Sequence, residues 1–244
     1  MNKLNRKQLP IYAKINKTVD IVRLQNYCKD NGYLNFQKYS DVKHGNHEGY
    51  SAFLETHSYC KNTFFKEEEA ESLQGELYEQ LYLTEIDPSK LGTSSEQIEA
   101  SSSTDLSRTK RRDPSSPNYI PEANEHNYGL RNEHVKDIFK DILDMFESPV
   151  CRVRLAVLKP GFTIKPHVDY DPTYITRYHI PIFTNEKIVF GGKVKEDVTE
   201  YHMPADGSVY FFNSGVLHWV SNTSTEPRLH LVVDTNGQND LQFI

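Results

Sequence analysis

The sequence predicts a mainly β chain with flanking helices, built as a double-stranded β-helix, or jelly-roll barrel. Two observations carry that reading. From residue 150 onward, apolar residues recur with a period of two through eight short segments: CRVRLAVL, FTIKPHVD, YITRYHIPIF, KIVFGGKV, EDVTEYHMP, GSVYFFN, LHWVSN and RLHLVVDT. The breaks between them, KPG, YDP, TNE, PADG, NSG and STEP, are rich in turn-forming residues. Short strands spaced in this way describe a barrel or a double-sheet jelly roll, with the helix that precedes them packed on an outer face.

The elements follow in order along one expected domain, residues 1–244, whose first 131 residues form a mixed α/β region and whose residues 132–236 form a helix plus the jelly-roll core. Val19 to Asp30 carries Ile21, Leu24, Tyr27 and Cys28 at helical spacing, with Gly32 just past the end as a stop. Leu73, Leu77, Tyr78 and Leu81 repeat that spacing behind the acidic stretch Glu67 to Glu71, although LYEQLYL also suits a strand. Residues 93–117 read as a flexible polar loop, rich in Ser and Thr, and a loop of this length suggests a lid or insertion. Asn132 is the expected cap of a helix whose stripe is Val135, Ile138, Phe139, Ile142 and Phe146, and Pro149 ends it.

Composition narrows the function classes. A net charge of -6 argues against general nucleic-acid binding, which needs a basic face. The cluster Arg108, Lys110, Arg111 and Arg112 sits in the polar loop and reads as a solvated charge run. No apolar run approaches the roughly 18 residues needed to span a bilayer, and the basic N-terminus lacks the apolar core of a secretory signal, so a cytoplasmic protein is expected. Cys28, Cys60 and Cys151 lack metal-site spacing and are expected as reduced, buried thiols.

The chemistry concentrates in three places. His167 and Asp169 in PHVDY lie two apart, which on a strand puts an imidazole and a carboxylate on one face. Chance alone supplies roughly 0.6 H-x-D triplets in a chain of this composition, so the triplet alone is weak. His218 in GVLHWVSN adds a second imidazole from another strand. Two His and one carboxylate leave three metal positions open, the arrangement of non-haem Fe(II) oxygenases. Ten residues after His218, Arg228 opens the last strand, where its planar fork can grip a carboxylate in two places. Alternation then puts Arg177, His179 and Pro181 on one face and Tyr178, Ile180 and Ile182 on the other. It likewise separates Arg228 and His230 from Leu229, Leu231 and Val233. A polar interior with an apolar exterior needs anionic ligands to balance its buried charge.

The text RVRLAVLKPG, PHVDYD, RYHIPI, GSVYFFN and H-x9-R followed by LHLVVD, over about residues 150–236, resembles the aspartyl/asparaginyl β-hydroxylase family of 2-oxoglutarate oxygenases. That family includes bacterial enzymes acting on free amino acids such as proline. The resemblance implies Fe(II), 2-oxoglutarate and dioxygen as cofactors, with His167, Asp169 and His218 as catalytic metal ligands. It implies Arg228 as the seat of the distal carboxylate, with Arg177 and His179 holding the carboxylate next to the keto group. Retention of Asp169 places the chain with the bacterial type and favours hydroxylation over halogenation, which needs that coordination position for a halide. Ala156 stands where a hydroxyl would help bind the cosubstrate. Arg154, on the same strand face, is a candidate contact for a carboxylate-bearing substrate, and the expected substrate is an amino acid, free or within a peptide. Two rivals remain. One is a non-catalytic jelly-roll protein that holds a small anion through Arg177 and Arg228; the other is a cupin-type metal enzyme, for which His218 lacks a near histidine or glutamate partner and Arg228 lacks a role.

Overall fold

A computed structural model describes residues 3–34, 43–44, 78–90, 115 and 124–242. The basic cluster, Cys60 and, apart from Ser115, the expected polar loop lie outside the described residues. Strand β1 (Tyr12–Thr18) and helix α1 (Ile21–Asp30) open the chain, followed by β2 (Lys43–His44), β3 (Tyr78–Tyr82), β4 (Thr84–Glu85), β5 (Leu130–Arg131) and helix α2 (Asp137–Asp144). The eight expected strands then all form: β6 (Val150–Leu158), β7 (Thr163–His167), β8 (Thr176–Phe183), β9 (Ile188–Val194), β10 (Asp197–Tyr201), β11 (Ser208–Phe212), β12 (Leu217–Asn222) and β13 (Arg228–Thr235). Glycines allow the tight turns: Gly161 and Gly207 adopt φ +74° and +85°, and a side chain at Gly207 would meet the Val19 carbonyl oxygen at 2.5 Å.

The strands form a seven-stranded sheet of order β1-β11-β8-β13-β6-β3-β2 and a four-stranded sheet of order β10-β9-β12-β7. Apart from the β9–β10 hairpin, successive strands from β6 to β13 alternate between the two sheets, which is the winding of a double-stranded β-helix. The two inner faces meet in one apolar cluster of Leu158, Phe190, Tyr201, Met203, Tyr210, Phe212 and Val220. No ladder joins the sheets among the described residues, so the predicted jelly roll takes its double-sheet form, two facing sheets. In the larger sheet the outer strands of the eight-strand unit are covered: β1 pairs with β11 and β3 pairs with β6.

The outer face of the larger sheet carries the main core. Val153, Leu155, Val157, Tyr178, Ile180, Ile182, Leu229, Leu231 and Val233 pack there against Leu24 and Cys28 of α1 and Ile138, Phe139, Ile142 and Leu143 of α2. The alternation read from the sequence therefore holds, with the apolar set outward under the helices. Helix α1 starts two residues later than expected, because the Asp20 side chain accepts the Arg23 N–H and caps it.

Two expectations needed correction. Asn132 does not cap α2: its side chain accepts the His134 N–H and donates to the Tyr82 carbonyl, fixing the turn that feeds the helix. The helix starts at Asp137 behind Lys136, whose side chain makes no capping bond, and it stops before Phe146. Tyr78 to Tyr82 is a strand rather than the end of a helix, because β6 offers a ladder from Tyr78↔Leu158 to Tyr82↔Arg154 and Leu81 is fully buried. The rest of that expected helix lies outside the described residues. Cys28 and Cys151 are free and buried, as expected, and burial raises both thiols above the ordinary value. No helix among the described residues is long and apolar enough to cross a membrane.

Candidate metal centre

The register of β7 and β12 makes the site. His218 pairs directly with His167 across the ladder, which brings the two imidazole centroids to 4.1 Å. Each ring is oriented by its own strand: His167 Nδ1 lies 2.7 Å from the Lys165 carbonyl and His218 Nδ1 lies 2.9 Å from the Val216 carbonyl. With Nδ1 donating to a carbonyl, each Nε2 keeps its lone pair, which is the tautomer a metal requires. Burial, with His167 close by, pushes the His218 pKa down to about 3, so the ring stays neutral and able to ligate at physiological pH.

Asp169 completes the set by a route the sequence did not show. Strand β7 ends at His167, so the carboxylate sits on the chain beyond it rather than on a shared strand face. The Asp169 N–H is held by the Ser214 carbonyl at 2.8 Å, and Oδ1 lies 3.9 Å from His167 Nε2. Ligand atoms of His167, Asp169 and His218 all fall within 4.8 Å of one another, the one such group of three or more found among the described residues. Two imidazoles and one carboxylate brought together suit Fe(II) with positions left open.

Across the interior, β8 and β13 of the larger sheet supply the other polar groups. Arg177 donates through Nε and Nη2 to Asp234 at 2.8 and 3.1 Å and through Nη1 to Asp169 Oδ2. Burial opposes its charge, but the Asp234 and Asp169 carboxylates hold it well above the ordinary arginine range. Arg154 donates to the same Asp234 at 3.1 Å and to the Arg152 carbonyl, so its charge is matched within the protein. His179 and His230 face each other with their Nδ1 atoms 3.3 Å apart, and neither Nε2 has a hydrogen-bond partner among the described residues. Both are buried and held neutral by that burial, with nearby arginines adding to the effect. The rings of Phe190 and Phe212 pack edge-on against His179, and Phe212 also packs against His218.

Arg228 is different. It is 2% exposed, has no carboxylate partner among the described residues, and its Nε is unpaired. Its guanidinium lies 5.5 Å over the Phe190 ring, and burial pushes its pKa down to about 10. A buried cation without an anion is costly, so the interior fits a carboxylate-bearing ligand at this end.

Residues 119–237, which hold every one of these groups, match the family described as aspartyl/asparaginyl beta-hydroxylase. The match supports the resemblance seen in the sequence. No curated protein sequence matches the chain. Among solved structures, an oxidoreductase of the 2OG-Fe(II) oxygenase family from Burkholderia pseudomallei is 18% identical over 43% of this chain and 55% of that one, with a TM-score of 0.32. An oxalate oxidase with the substrate analogue glycolate is 18% identical over 36% of this chain, with a TM-score of 0.28. The TT1209 protein from Thermus thermophilus is 27% identical over 37% of this chain and 76% of that one, at a TM-score of 0.26. The chain spans 43% of the length of the oxalate oxidase.

Within the matched span, the residue the sequence reading passed over is Asp234. It is fully buried between Arg154 and Arg177. The signal was present: in RLHLVVDT it lies an even number of residues from Arg228 and His230, and so on their inward face.

Proposed function

We propose that this chain is an Fe(II)- and 2-oxoglutarate-dependent oxygenase that hydroxylates a C–H bond of an amino acid, free or within a peptide. The observation that supports it best is the pairing of two unsatisfied requirements in one interior: an open His167–Asp169–His218 triad and a buried Arg228 with no protein anion beside it among the described residues. When bound, iron would bring together dioxygen as the oxidant and 2-oxoglutarate as the two-electron reductant, one oxygen atom ending in succinate as carbon dioxide leaves and the other in the hydroxylated substrate.

The chain's own residues do the rest. His167 and His218 present Nε2 atoms already oriented by the carbonyls of Lys165 and Val216. Asp169 presents Oδ1, since Oδ2 is engaged by Arg177. Arg228 forks onto the distal carboxylate of the cosubstrate, where a lysine would make only a point contact. His179, on the same inner face, offers Nε2 toward the carboxylate next to the keto group. Arg177 keeps two N–H groups beyond the three bonds it makes within the protein, and these serve the same carboxylate. Phe190 and Phe212 line this interior and exclude water, which strengthens each charged contact.

The test is direct. Anaerobic addition of Fe(II) and 2-oxoglutarate to the apoprotein should give the weak visible charge-transfer band of a chelated keto acid, and Arg228→Ala should require much more 2-oxoglutarate to produce it. Metal-loaded protein that shows no band in the presence of 2-oxoglutarate would sink the reading. Succinate release against a panel of amino acids and short peptides then names the substrate.

A further inference from the structure

The three candidate metal ligands are not held in the same way. Both histidines sit on hydrogen-bonded strands and have Nδ1 fixed by a backbone carbonyl. Asp169 lies past the end of β7, so no ladder bond orients it, and its side chain needs a restraint from elsewhere. That restraint comes from the opposite sheet. Asp234, fully buried on β13, pairs in register with Arg177 on β8 and takes two of its donors, Nε at 2.8 Å and Nη2 at 3.1 Å. A guanidinium gripped in two places cannot rotate, so its remaining nitrogen Nη1 points to one place, Asp169 Oδ2. Oδ1 is left on the side of His167 Nε2.

Charge supports the same arrangement. A lone arginine beside a metal ligand repels the cation and competes for the carboxylate. Here two guanidiniums, Arg154 and Arg177, meet two carboxylates, Asp234 and Asp169, so the network is neutral before a metal enters. We propose that Asp234 is a positioning residue for the carboxylate ligand of the metal: it locks Arg177, and Arg177 holds one oxygen of Asp169 so that only the other faces the ion. Arg177 is thereby a positioning residue as well as a donor to the cosubstrate. The inference rests on the metal-site reading above and deepens it. Asp234 never touches the ion, and its effect travels through Arg177 and Asp169.

The experiment is a titration of apoprotein with Mn(II), with free ion followed by electron paramagnetic resonance and folding checked by thermal unfolding. Asp234→Asn should weaken Mn(II) binding by about tenfold or more, the usual effect of losing an outer partner of a ligand. In an Asp169→Asn background the same substitution should change the affinity by less than about threefold, because the ligand it acts through is already altered. Arg177→Lys, which keeps the charge and loses the fork, should reproduce the loss and serves as the second variant if Asp234→Asn does not fold. Wild-type affinity in folded Asp234→Asn, or in folded Arg177→Lys where that variant stands in, would overturn the proposal, and so would an equal loss with Asn at position 169. His167→Ala separates the two levels. If it leaves Mn(II) binding unchanged, the metal-site reading itself fails; if it abolishes binding while Asp234→Asn does not weaken it, only the positioning role fails.

Discussion

Arg177 and Arg228 are both buried on the inner face of the larger sheet, yet one is saturated with protein carboxylates and the other has none among the described residues. Six residues of β13 separate Arg228 from Asp234, the partner of Arg177, which is roughly 20 Å of strand. Over that distance the response to the same burial reverses. Arg177 is held well above the ordinary arginine range by Asp234 and Asp169, whereas burial pushes Arg228 down to about 10, with no carboxylate beside it among the described residues. A matched charge is part of the framework, and an unmatched one is where the proposed cosubstrate would bring its carboxylate. The two ends of the interior therefore differ in what their mutation should break.

The largest effect is expected at the matched end. His167→Ala and His218→Ala should each abolish metal binding in the Mn(II) titration, since two ligands no longer close the set. Asp234→Leu comes next: it leaves Arg154 as a buried cation without a carboxylate and Arg177 with Asp169 alone, and should cost about 3–5 kcal/mol in urea unfolding of the apoprotein. A loss below about 1 kcal/mol would show that the network is not part of the framework.

At the unmatched end the sign should change. Arg228→Met should leave the apoprotein as stable as before or more stable by about 1 kcal/mol, because it removes a buried charge that no carboxylate among the described residues balances. The same variant should raise the 2-oxoglutarate concentration needed for turnover by about 10–100-fold, the worth of a charged hydrogen-bonded pair. Wild-type protein at about 100 times the dissociation constant should gain about 2.7 kcal/mol from the ligand, a gain that Arg228→Met should lack at the same concentration. Marked destabilisation of ligand-free Arg228→Met would erase the contrast between the two arginines.

The smallest effect is a pH dependence carried by the histidines between the two ends. His179 and His230 are neutral when folded because burial holds them well below their ordinary value of 6.5. The unfolded chain takes up protons as pH falls through that value and the folded chain does not. Stability is therefore fully present above about 6.5 and declines below it, by on the order of 1 kcal/mol per histidine near pH 5.5. Urea unfolding of the apoprotein at the two pH values measures it, and His230→Phe should reduce the slope.

Much of this was legible in the sequence because β-strands expose their logic every second residue. The eight strands, the outward set of Tyr178, Ile180 and Ile182, and the inward set of Arg177, His179, Arg228 and His230 all follow from a period of two. What the period cannot show is pairing. That His218 stands opposite His167 depends on the β7–β12 register, and that Asp169 reaches the site from beyond its strand depends on a backbone bond to Ser214. Local spacing also left Tyr78 to Tyr82 open between helix and strand, and the edge of β6 selected the strand. Asn132 looked like a cap for a similar reason: its chemistry was read correctly, while the turn it serves lies ahead of the helix.

The two strands that flank the eight-strand unit bear on how such a protein can be divided. Strands β1 and β3 come from the first 82 residues, outside the 119–237 span that carries the family likeness, yet they cover β11 and β6. Cutting the chain at the border of recognisable ancestry would strip both flanks of the larger sheet and leave two rows of unpaired amides and carbonyls ready to recruit another molecule. The boundary of kinship and the boundary of foldability are thus different lines on this chain. A gene fragment chosen by the first would be expected to yield aggregates, however complete its set of candidate metal ligands.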